Sequence, residues 1–311
     1  MATRIKDLPA EEIVLSGNGA CASCPSTLAL RIVGKALGSN AIMLLTPSCT
    51  VASMGITPQM AFDYPALNVC FATAGSSAAG VVYALEAQAM KGRLQGEMPT
   101  VFTWIGDGGT YDIGFQALSA AAERNDNFIF FCYNNEAYSN TGVQRSGATP
   151  AFAVTTTTPG GKTENKKNMP LLMLDHRVPY MATASVAYPA DLYDKVIKAK
   201  QTKGFKYIEI FAPCYPGWKF ESKDMIKLAR LAVRSGINLL WEAENGYITR
   251  FNGPTKALME TGAAPRGMEE YLAVQGRFKH VMTAEKKEVF LRSVEDDVRE
   301  EMELLKGRKA T

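Results

Sequence analysis

The 311-residue chain lacks several features that would assign it at once to a broad class of protein. Its formal net charge is only +3, which is too small to favour nucleic acid or a membrane surface as a partner. No stretch approaches the roughly 18 apolar residues of a membrane span. Residues 1–17 contain no apolar segment of the kind found in secretory signals. We therefore expect a cytoplasmic protein with neither a nucleic-acid partner nor a membrane partner.

Apolar runs alternate with segments of helical spacing along the first 223 residues. Hydrophobic residues make up 47% of the chain, enough for a sizeable core. The predicted strands cover residues 41–47, 67–75, 100–108, 127–135 and 206–214, and the predicted helices cover residues 76–92, 113–125 and 189–204. This alternation predicts an α/β fold with a mainly parallel, doubly wound sheet.

The pattern changes after residue 223. We predict an α/β domain over residues 1–223 and a C-terminal helical extension over residues 224–311. The extension either packs on the core or a partner subunit, or ends in a solvated helix. Within it, WEAENGYITRFNG predicts a hairpin around Asn245 and Gly246. The polar stretch TTTTPGGKTENKKNMP predicts a long loop, which is either solvated surface or functional.

A small acidic loop follows the predicted strand VFTWI and contains Gly106, Asp107, Gly108 and Gly109. Its glycines permit a close approach to a diphosphate, and the next helix offers its N-terminus to an anion. Asp107 cannot bind an anion directly, but a divalent cation can bridge a carboxylate and phosphate oxygens. Asn134 and Asn135 follow a neighbouring strand, and an amide oxygen adds a ligand without adding charge. The spacing predicts a site for magnesium and a diphosphate, whereas the GDG alone could be a plain turn.

The chain has six cysteines, which are Cys21, Cys24, Cys49, Cys70, Cys132 and Cys214. Cys21 and Cys24 form a CxxC turn, while Cys49 and Cys214 each follow a predicted strand. Four thiolates on loops suit a zinc ion or a [4Fe–4S] cluster, and their spacing does not distinguish the two. Cys70 and Cys132 lie inside apolar runs and are predicted to be buried structural thiols.

Taken together, these motifs resemble the beta subunit of the 2-oxoacid:ferredoxin oxidoreductases, the pyruvate:ferredoxin oxidoreductase family. The stretches that carry the resemblance are CASC, TPSCT, GDGGTYDIG, NNEAYSNTGVQRSGATP, VPYMATASVAYP and APCYPGW. The resemblance implies a thiamine diphosphate-binding fold. It also implies the oxidative decarboxylation of a small 2-oxoacid, pyruvate or oxalate, with electrons passing singly through a proximal cluster to ferredoxin.

The resemblance also assigns roles to individual residues. It implies magnesium ligands at Asp107, the Asn135 side chain and the backbone carbonyl of Ala137. It implies a catalytic position for Asn140, near the reactive ring of thiamine diphosphate. The implied ligands of the [4Fe–4S] cluster are Cys21, Cys24, Cys49 and Cys214.

The chain contains only part of the machinery that such a reaction needs. We find one cofactor-binding domain and no repeated C-x₂-C-x₂-C run for further clusters. Glu136 stands at the wrong end of the cofactor to activate its aminopyrimidine, so the activating glutamate should lie on a partner chain. The implied partners are alpha, gamma and delta-type subunits, ferredoxin and, for pyruvate, coenzyme A.

Two alternatives remain open. A non-redox thiamine diphosphate decarboxylase or carboligase subunit would explain the magnesium motif but not the cysteines. A zinc-stabilised, non-catalytic subunit would explain the cysteines but not the magnesium motif. The chain reads GNGACASCP and PCYPGW where the family usually reads GHxxCxGCG and PCPxGW. These departures leave the choice between pyruvate and oxalate open.

Overall fold

Strands and helices alternate along the chain in a computed structural model that describes residues 3–310. The strands are β1 (Ala41–Leu45), β2 (Gly55–Ile56), β3 (Gln59–Met60), β4 (Ala66–Asn68), β5 (Thr100–Gly106), β6 (Ile129–Asn134), β7 (Tyr180–Ser185), β8 (Lys206–Phe211), β9 (Trp241–Glu244) and β10 (Tyr247–Phe251). The α-helices are α1 (Pro25–Leu37), α2 (Cys49–Met54), α3 (Ala74–Met90), α4 (Phe115–Glu123), α5 (Met169–Asp175), α6 (Pro189–Gln201), α7 (Tyr215–Trp218), α8 (Met225–Arg234), α9 (Gly253–Glu260), α10 (Met268–Ala273) and α11 (Lys287–Lys306).

The main sheet has eight strands in the order β10-β9-β7-β8-β6-β5-β1-β4. The strands from β7 to β4 in this order pair in parallel, while β9 pairs antiparallel with β7 and β10 antiparallel with β9. Strands β2 and β3 form a separate antiparallel pair. The mainly parallel sheet predicted from the alternating pattern is therefore confirmed.

Helices cover both faces of this sheet. Successive side chains of a strand point to opposite faces, so each strand contributes to two separate cores. In β1, Met43 and Leu45 belong to a core that also contains α1 and α6 side chains such as Val33 and Val196. Leu44, between them, belongs to a second core formed with α3 and α4. All three β1 residues are fully buried. The doubly wound arrangement is thus confirmed as well.

One strand prediction was inaccurate, and one strand of the main sheet was not predicted. The strand predicted over residues 67–75 is only the three-residue β4, and α3 already begins at Ala74. Strand β7 was missed, because its sequence YMATAS mixes small and polar residues instead of forming a run of large aliphatic ones. All six β7 residues are nevertheless buried, since the strand lies between β8 and β9.

The chain after residue 223 contributes to the same sheet and core. The predicted hairpin is confirmed as β9 and β10, and β9 extends the main sheet by pairing with β7. Helix α11 buries Phe290, Val298 and Leu305, so it packs on the core and is not fully solvated. None of the helices between residues 3 and 310 combines the length and apolar character that crossing a membrane requires.

Candidate functional site

The predicted site residues gather at one edge of the sheet. Strands β8, β6, β5 and β1 are consecutive neighbours and parallel, so their carboxyl ends lie side by side. Asn135 directly follows β6, and Asp107 directly follows β5. Cys214 comes three residues after β8, and Cys49 four residues after β1. Ligand sites in open parallel sheets lie at this edge.

Three oxygen-bearing groups converge where β5 and β6 end. The terminal amide atom of Asn135 lies 3.0 Å from Asp107 Oδ1 and 2.7 Å from the carbonyl oxygen of Ala137. Neighbouring ligands of octahedral magnesium, each 2.0–2.1 Å from the ion, are about 2.9 Å apart. With the Asn135 amide oxygen inward, three oxygens can therefore serve as ligands: Asp107 Oδ1, Asn135 Oδ1 and the carbonyl oxygen of Ala137. We call these three atoms the oxygen triad. Rotated by half a turn, the same amide would donate hydrogen bonds to both oxygens.

The environment of Asp107 favours a cation in the oxygen triad. The side chain is 1% exposed, and burial raises the pKa of Asp107 to about 8. Ser146 Oγ donates to Asp107 Oδ2 at 2.5 Å, and the Asn135 N–H donates to Oδ1 at 3.2 Å. No Lys, Arg or His in the described part of the chain forms an ion pair with this carboxylate. A divalent cation would supply the missing charge and reverse the effect of burial.

The glycines of the acidic loop serve the packing of the chain itself. A Cβ on Gly108 would lie 2.2 Å from the Tyr138 ring, and one on Gly109 would lie 2.8 Å from Ile105. A Cβ on Gly106 would meet the Tyr133 ring at 3.4 Å. The contact with Tyr138 is thus a reason for glycine at position 108 that is separate from the expected approach to a diphosphate. Residues 108–113 also form a π-helical turn before α4 begins.

Four cysteines line one cavity of about 190 Å³ beside the oxygen triad. We call it the cysteine cavity, and its cysteines are Cys21, Cys24, Cys49 and Cys214. Within residues 3–310, no three His, Cys, Asp or Glu side chains are arranged so that they could hold one metal ion. The thiols therefore surround a space, whereas zinc would need them to converge at about 2.3 Å from one point. A cavity lined by four thiols could hold an iron–sulfur cluster.

Burial makes these thiols reluctant to ionise without a metal. Burial raises the pKa of Cys49 to about 12, and Cys214 and Cys24 add to the effect. Burial also raises the pKa of Cys214, although the Gly217 backbone and the Ser139 side chain act against it through hydrogen bonds. Asn140 is exposed, lines the cysteine cavity and donates its backbone N–H to Cys49. Neutral thiols here would need a metal to become thiolate ligands.

Comparison with known proteins identifies the family. A sequence model described as the thiamine pyrophosphate enzyme C-terminal TPP binding domain matches residues 50–210. Pyruvate synthase subunit PorB of Methanothermobacter thermautotrophicus is 42% identical over 284 residues, covering 90% of this chain and 94% of that protein. The chain belongs to the beta subunits of the 2-oxoacid:ferredoxin oxidoreductases. Ketoisovalerate oxidoreductase subunit VorB of Pyrococcus furiosus is similarly related to this beta subunit, with 41% identity over 281 residues and 88% of each chain covered.

A solved structure supports the fold of the beta subunit. A 2-oxoglutarate:ferredoxin oxidoreductase from Magnetococcus marinus superposes with a TM-score of 0.56, covering 92% of this chain and 97% of that one. Its sequence is only 20% identical, so the likeness supports the fold alone. Together with the domain match, it confirms the predicted thiamine diphosphate-binding fold. The beta subunit is part of an oxidoreductase and carries a thiamine diphosphate-binding domain.

Sequence reasoning missed an ion pair beneath the site of the beta subunit. Arg277 contacts the Glu136 carboxylate at 2.6 Å, and their side chains are 3% and 4% exposed. The Arg277 guanidinium also lies 3.7 Å from the centre of the Trp218 ring. Trp218 Nε1 donates to the carbonyl oxygen of Asn135 at 2.8 Å. Trp218 belongs to APCYPGW, one of the stretches that carry the family resemblance. The sequence around Arg277 does not indicate a buried arginine.

Asn134 and Asn135 serve different purposes in the beta subunit. Asn134 Nδ2 donates to Glu209 Oε1 at 3.0 Å and is not one of the groups of the oxygen triad. Glu209 also accepts hydrogen bonds from the hydroxyls of Tyr111 and Tyr207 at 2.8 and 2.7 Å. Burial raises the pKa of this carboxyl. The only sequence signal for Glu209 was a single acidic residue inside the apolar strand KYIEIF.

Two further segments support the acidic loop. In the turn from Ser146 to Pro150, the Gly147 N–H donates to Asp112 Oδ2 at 2.9 Å, and Thr149 Oγ1 donates to the Glu136 carbonyl at 2.6 Å. The polar loop over residues 155–170 contributes Lys162, which is 2% exposed and donates to the Thr149 carbonyl at 2.6 Å. This loop therefore contains a buried lysine as well as solvated surface.

The remaining two cysteines differ from each other. Cys132 is buried, as predicted. Cys70 is exposed, so the prediction of a second buried thiol was wrong. The reason is the short edge strand β4, which ends at Asn68 and leaves Cys70 in the turn before α3.

Proposed function

We propose that this beta subunit catalyses, within a larger complex, the oxidative decarboxylation of a small 2-oxoacid with transfer of electrons to ferredoxin. Magnesium at the oxygen triad would hold the diphosphate of thiamine diphosphate, and a [4Fe–4S] cluster would occupy the cysteine cavity. The observation that carries this proposal is the juxtaposition of these two sites at neighbouring strand ends. Either alternative function accounts for only one of the two.

The residues of the chain have distinct tasks in this proposal. Asp107, Asn135 and the Ala137 carbonyl hold the cation, and Ser146 fixes the second carboxylate oxygen of Asp107. The four cysteines of the cysteine cavity ligate the cluster. When bound, thiamine diphosphate supplies the electron sink for decarboxylation and the cluster supplies one-electron transfer. Asn140, which lines the cysteine cavity, is the proposed catalytic residue near the substrate.

The environment of Glu136 supports the need for partner subunits. Its carboxylate is buried and paired with Arg277, so it is not free to activate the aminopyrimidine of a bound cofactor. The activating glutamate should therefore come from another chain. The relatives are named as subunits, which supports alpha, gamma and delta-type partners. Ferredoxin is the proposed electron acceptor, and coenzyme A the proposed acyl acceptor wherever an acyl group remains.

The substrate is proposed only as a class. Pyruvate and oxalate are the predicted substrates, and the pyruvate synthase relative supports pyruvate. The ketoisovalerate oxidoreductase relative is almost equally similar, so a branched 2-oxoacid is a third candidate. Oxalate would need no coenzyme A, because both of its carbons leave as carbon dioxide. Pyruvate and ketoisovalerate would need it.

The test is an assay of the anaerobically purified complex. Ferredoxin reduction is measured with pyruvate, ketoisovalerate, oxalate and 2-oxoglutarate, each with and without coenzyme A. Iron, zinc and magnesium contents are determined on the same preparation. Iron with substrate-dependent ferredoxin reduction is the expected result. Zinc without iron would favour the non-catalytic alternative, and decarboxylation without ferredoxin reduction would favour the non-redox one. Turnover of 2-oxoglutarate alone would place the subunit in another branch.

A further inference from the structure

One short segment of the beta subunit connects the oxygen triad to the cysteine cavity. This segment, residues 135–140, starts at Asn135. Asn135 and Ala137 supply two of the three oxygens of the oxygen triad. The segment ends with Asn140, which lines the cysteine cavity and donates its N–H to Cys49. Ser139 lies between these ends and also lines the cavity. The two sites are thus only a few residues apart along the chain.

The Ser139 hydroxyl contacts both sites. With the Asn135 amide oxygen inward, Ser139 Oγ donates to Asn135 Oδ1 at 2.9 Å, whereas with the amide turned by half a turn its nitrogen donates to Ser139 Oγ at the same distance. The same hydroxyl also lies beside the Cys214 sulfur, where it can act as a hydrogen-bond partner of that thiol. A Cβ placed on Gly217 would lie 3.3 Å from Cys214 Sγ and 3.6 Å from Ser139 Oγ. The sulfur and the hydroxyl therefore border one small gap, which the absence of a side chain at Gly217 leaves open.

A serine hydroxyl has a single proton and two acceptor lone pairs. Ser139 can therefore donate to the Asn135 amide oxygen or to the Cys214 sulfur, but not fully to both. Donation to Asn135 holds the amide oxygen in the inward orientation that a cation requires. Donation to Cys214 stabilises negative charge on that sulfur, and such hydrogen bonds help to set the potential of an iron–sulfur cluster.

We propose that Ser139 is a positioning residue that couples the two cofactor sites through its one hydroxyl proton. The inference rests on the proposed function, because it requires a cation at the oxygen triad and a cluster in the cysteine cavity. It assigns to Ser139 a role beyond that of the ligands, since the hydroxyl orients one magnesium ligand and tunes one cluster ligand.

The experiment compares the Ser139→Ala and wild-type complexes with two readouts that do not depend on turnover. The first is the midpoint potential of the cluster in the magnesium-free complex, from a redox titration followed by electron paramagnetic resonance. Losing the donor should shift the one-electron equilibrium about tenfold towards the oxidised cluster. This shift lowers the midpoint potential by about 59 mV. The second is the apparent affinity for magnesium in the presence of thiamine diphosphate. It should fall about tenfold, the lower end for loss of a partner that orients a ligand.

Two variants make the comparison specific. Ser139→Thr keeps the hydroxyl and should restore both values. Thr141→Ala removes a nearby exposed hydroxyl that contacts Tyr138 and Gln144 only, and it should change neither. If Ser139→Ala does not assemble, Gly217→Ala serves instead. Its added methyl group enters the gap between Cys214 and Ser139, so the potential should change while magnesium affinity is kept.

The outcomes separate this inference from the proposed function. A wild-type complex without a cluster would refute the proposed function itself. A normal cluster whose potential and magnesium affinity are both unchanged in Ser139→Ala would overturn the role of Ser139 alone. A change in only one of the two values in Ser139→Ala would overturn the coupling. In the wild type the potential should also depend on whether magnesium is bound, and an equally large dependence in Ser139→Ala would contradict the coupling.

Discussion

Replacing Arg277 by methionine should destabilise the beta subunit strongly. The substitution keeps an unbranched chain but leaves the Glu136 carboxylate, 4% exposed, without its cationic partner at 2.6 Å. Removing one partner of a buried ion pair typically costs about 3–5 kcal/mol, because the other charge stays buried and uncompensated. The lost stacking on Trp218 is part of the same change and is not added to this figure. The expected loss is a large fraction of the roughly 5–15 kcal/mol that stabilises a folded domain.

A surface ion pair provides the matched control. Arg31 contacts Glu12 at 2.7 Å, a similar distance, but the two side chains are 46% and 35% exposed. Arg31→Met should therefore cost at most about 1 kcal/mol. A second control is the double variant Glu136→Gln with Arg277→Met. It should recover part of the stability lost in Arg277→Met alone, because no buried charge remains unpaired.

The assay is guanidinium unfolding of the whole chain under anaerobic, reducing conditions, followed by tryptophan fluorescence. The free energy of unfolding is compared among the wild type and the three variants. A loss for Arg277→Met no larger than that for Arg31→Met would refute the reasoning. A double variant no more stable than Arg277→Met would show that the unpaired carboxylate is not the source of the loss.

Three further predictions concern the cofactors and the assembly. Asp107→Ala should abolish retention of magnesium and thiamine diphosphate in the complex while leaving the visible spectrum of the cluster; normal cofactor content would contradict the role of Asp107. Cys214→Ser should lower the iron content and ferredoxin reduction, whereas Cys70→Ser should not; metal analysis showing the reverse pattern would exchange their roles. The purified chain alone should not reduce a dye in a substrate-dependent manner, and any such activity would show that the site is complete without partners.

The main features of the site could be predicted because they follow from local patterns. Asp107 and Asn135 each follow an apolar run, and parallel strands bring the residues after them to one edge. Pairing of β5 with β6 then places the two side chains together. Sequence spacing alone could not assign the carbonyl of Ala137, because any residue can supply a backbone oxygen. That position came from the family resemblance.

The features that could not be predicted depend on distant parts of the chain or on strand length. Arg277 meets Glu136 across 141 residues, and nothing in GRFKH indicates a buried arginine. Cys70 lies in an apolar stretch, but the stretch is not a long strand, so its side chain reaches solvent. The pairing of β9 with β7 could not be predicted either, because a hairpin pattern does not specify which strand it joins.

The order of the strands also sets the width of the sheet edge on which the site is built. Neighbouring strands of a sheet are about 4.8 Å apart, so the three steps from β8 to β1 span about 14 Å. Main-chain hydrogen bonds hold that spacing, and loop substitutions would leave it unchanged. The sheet therefore fixes the distance between the strand ends that precede Cys214 and Cys49. The strand ends that precede Asn135 and Asp107 lie between them. The loop sequence PCYPGW, which follows β8, can therefore vary without changing this distance.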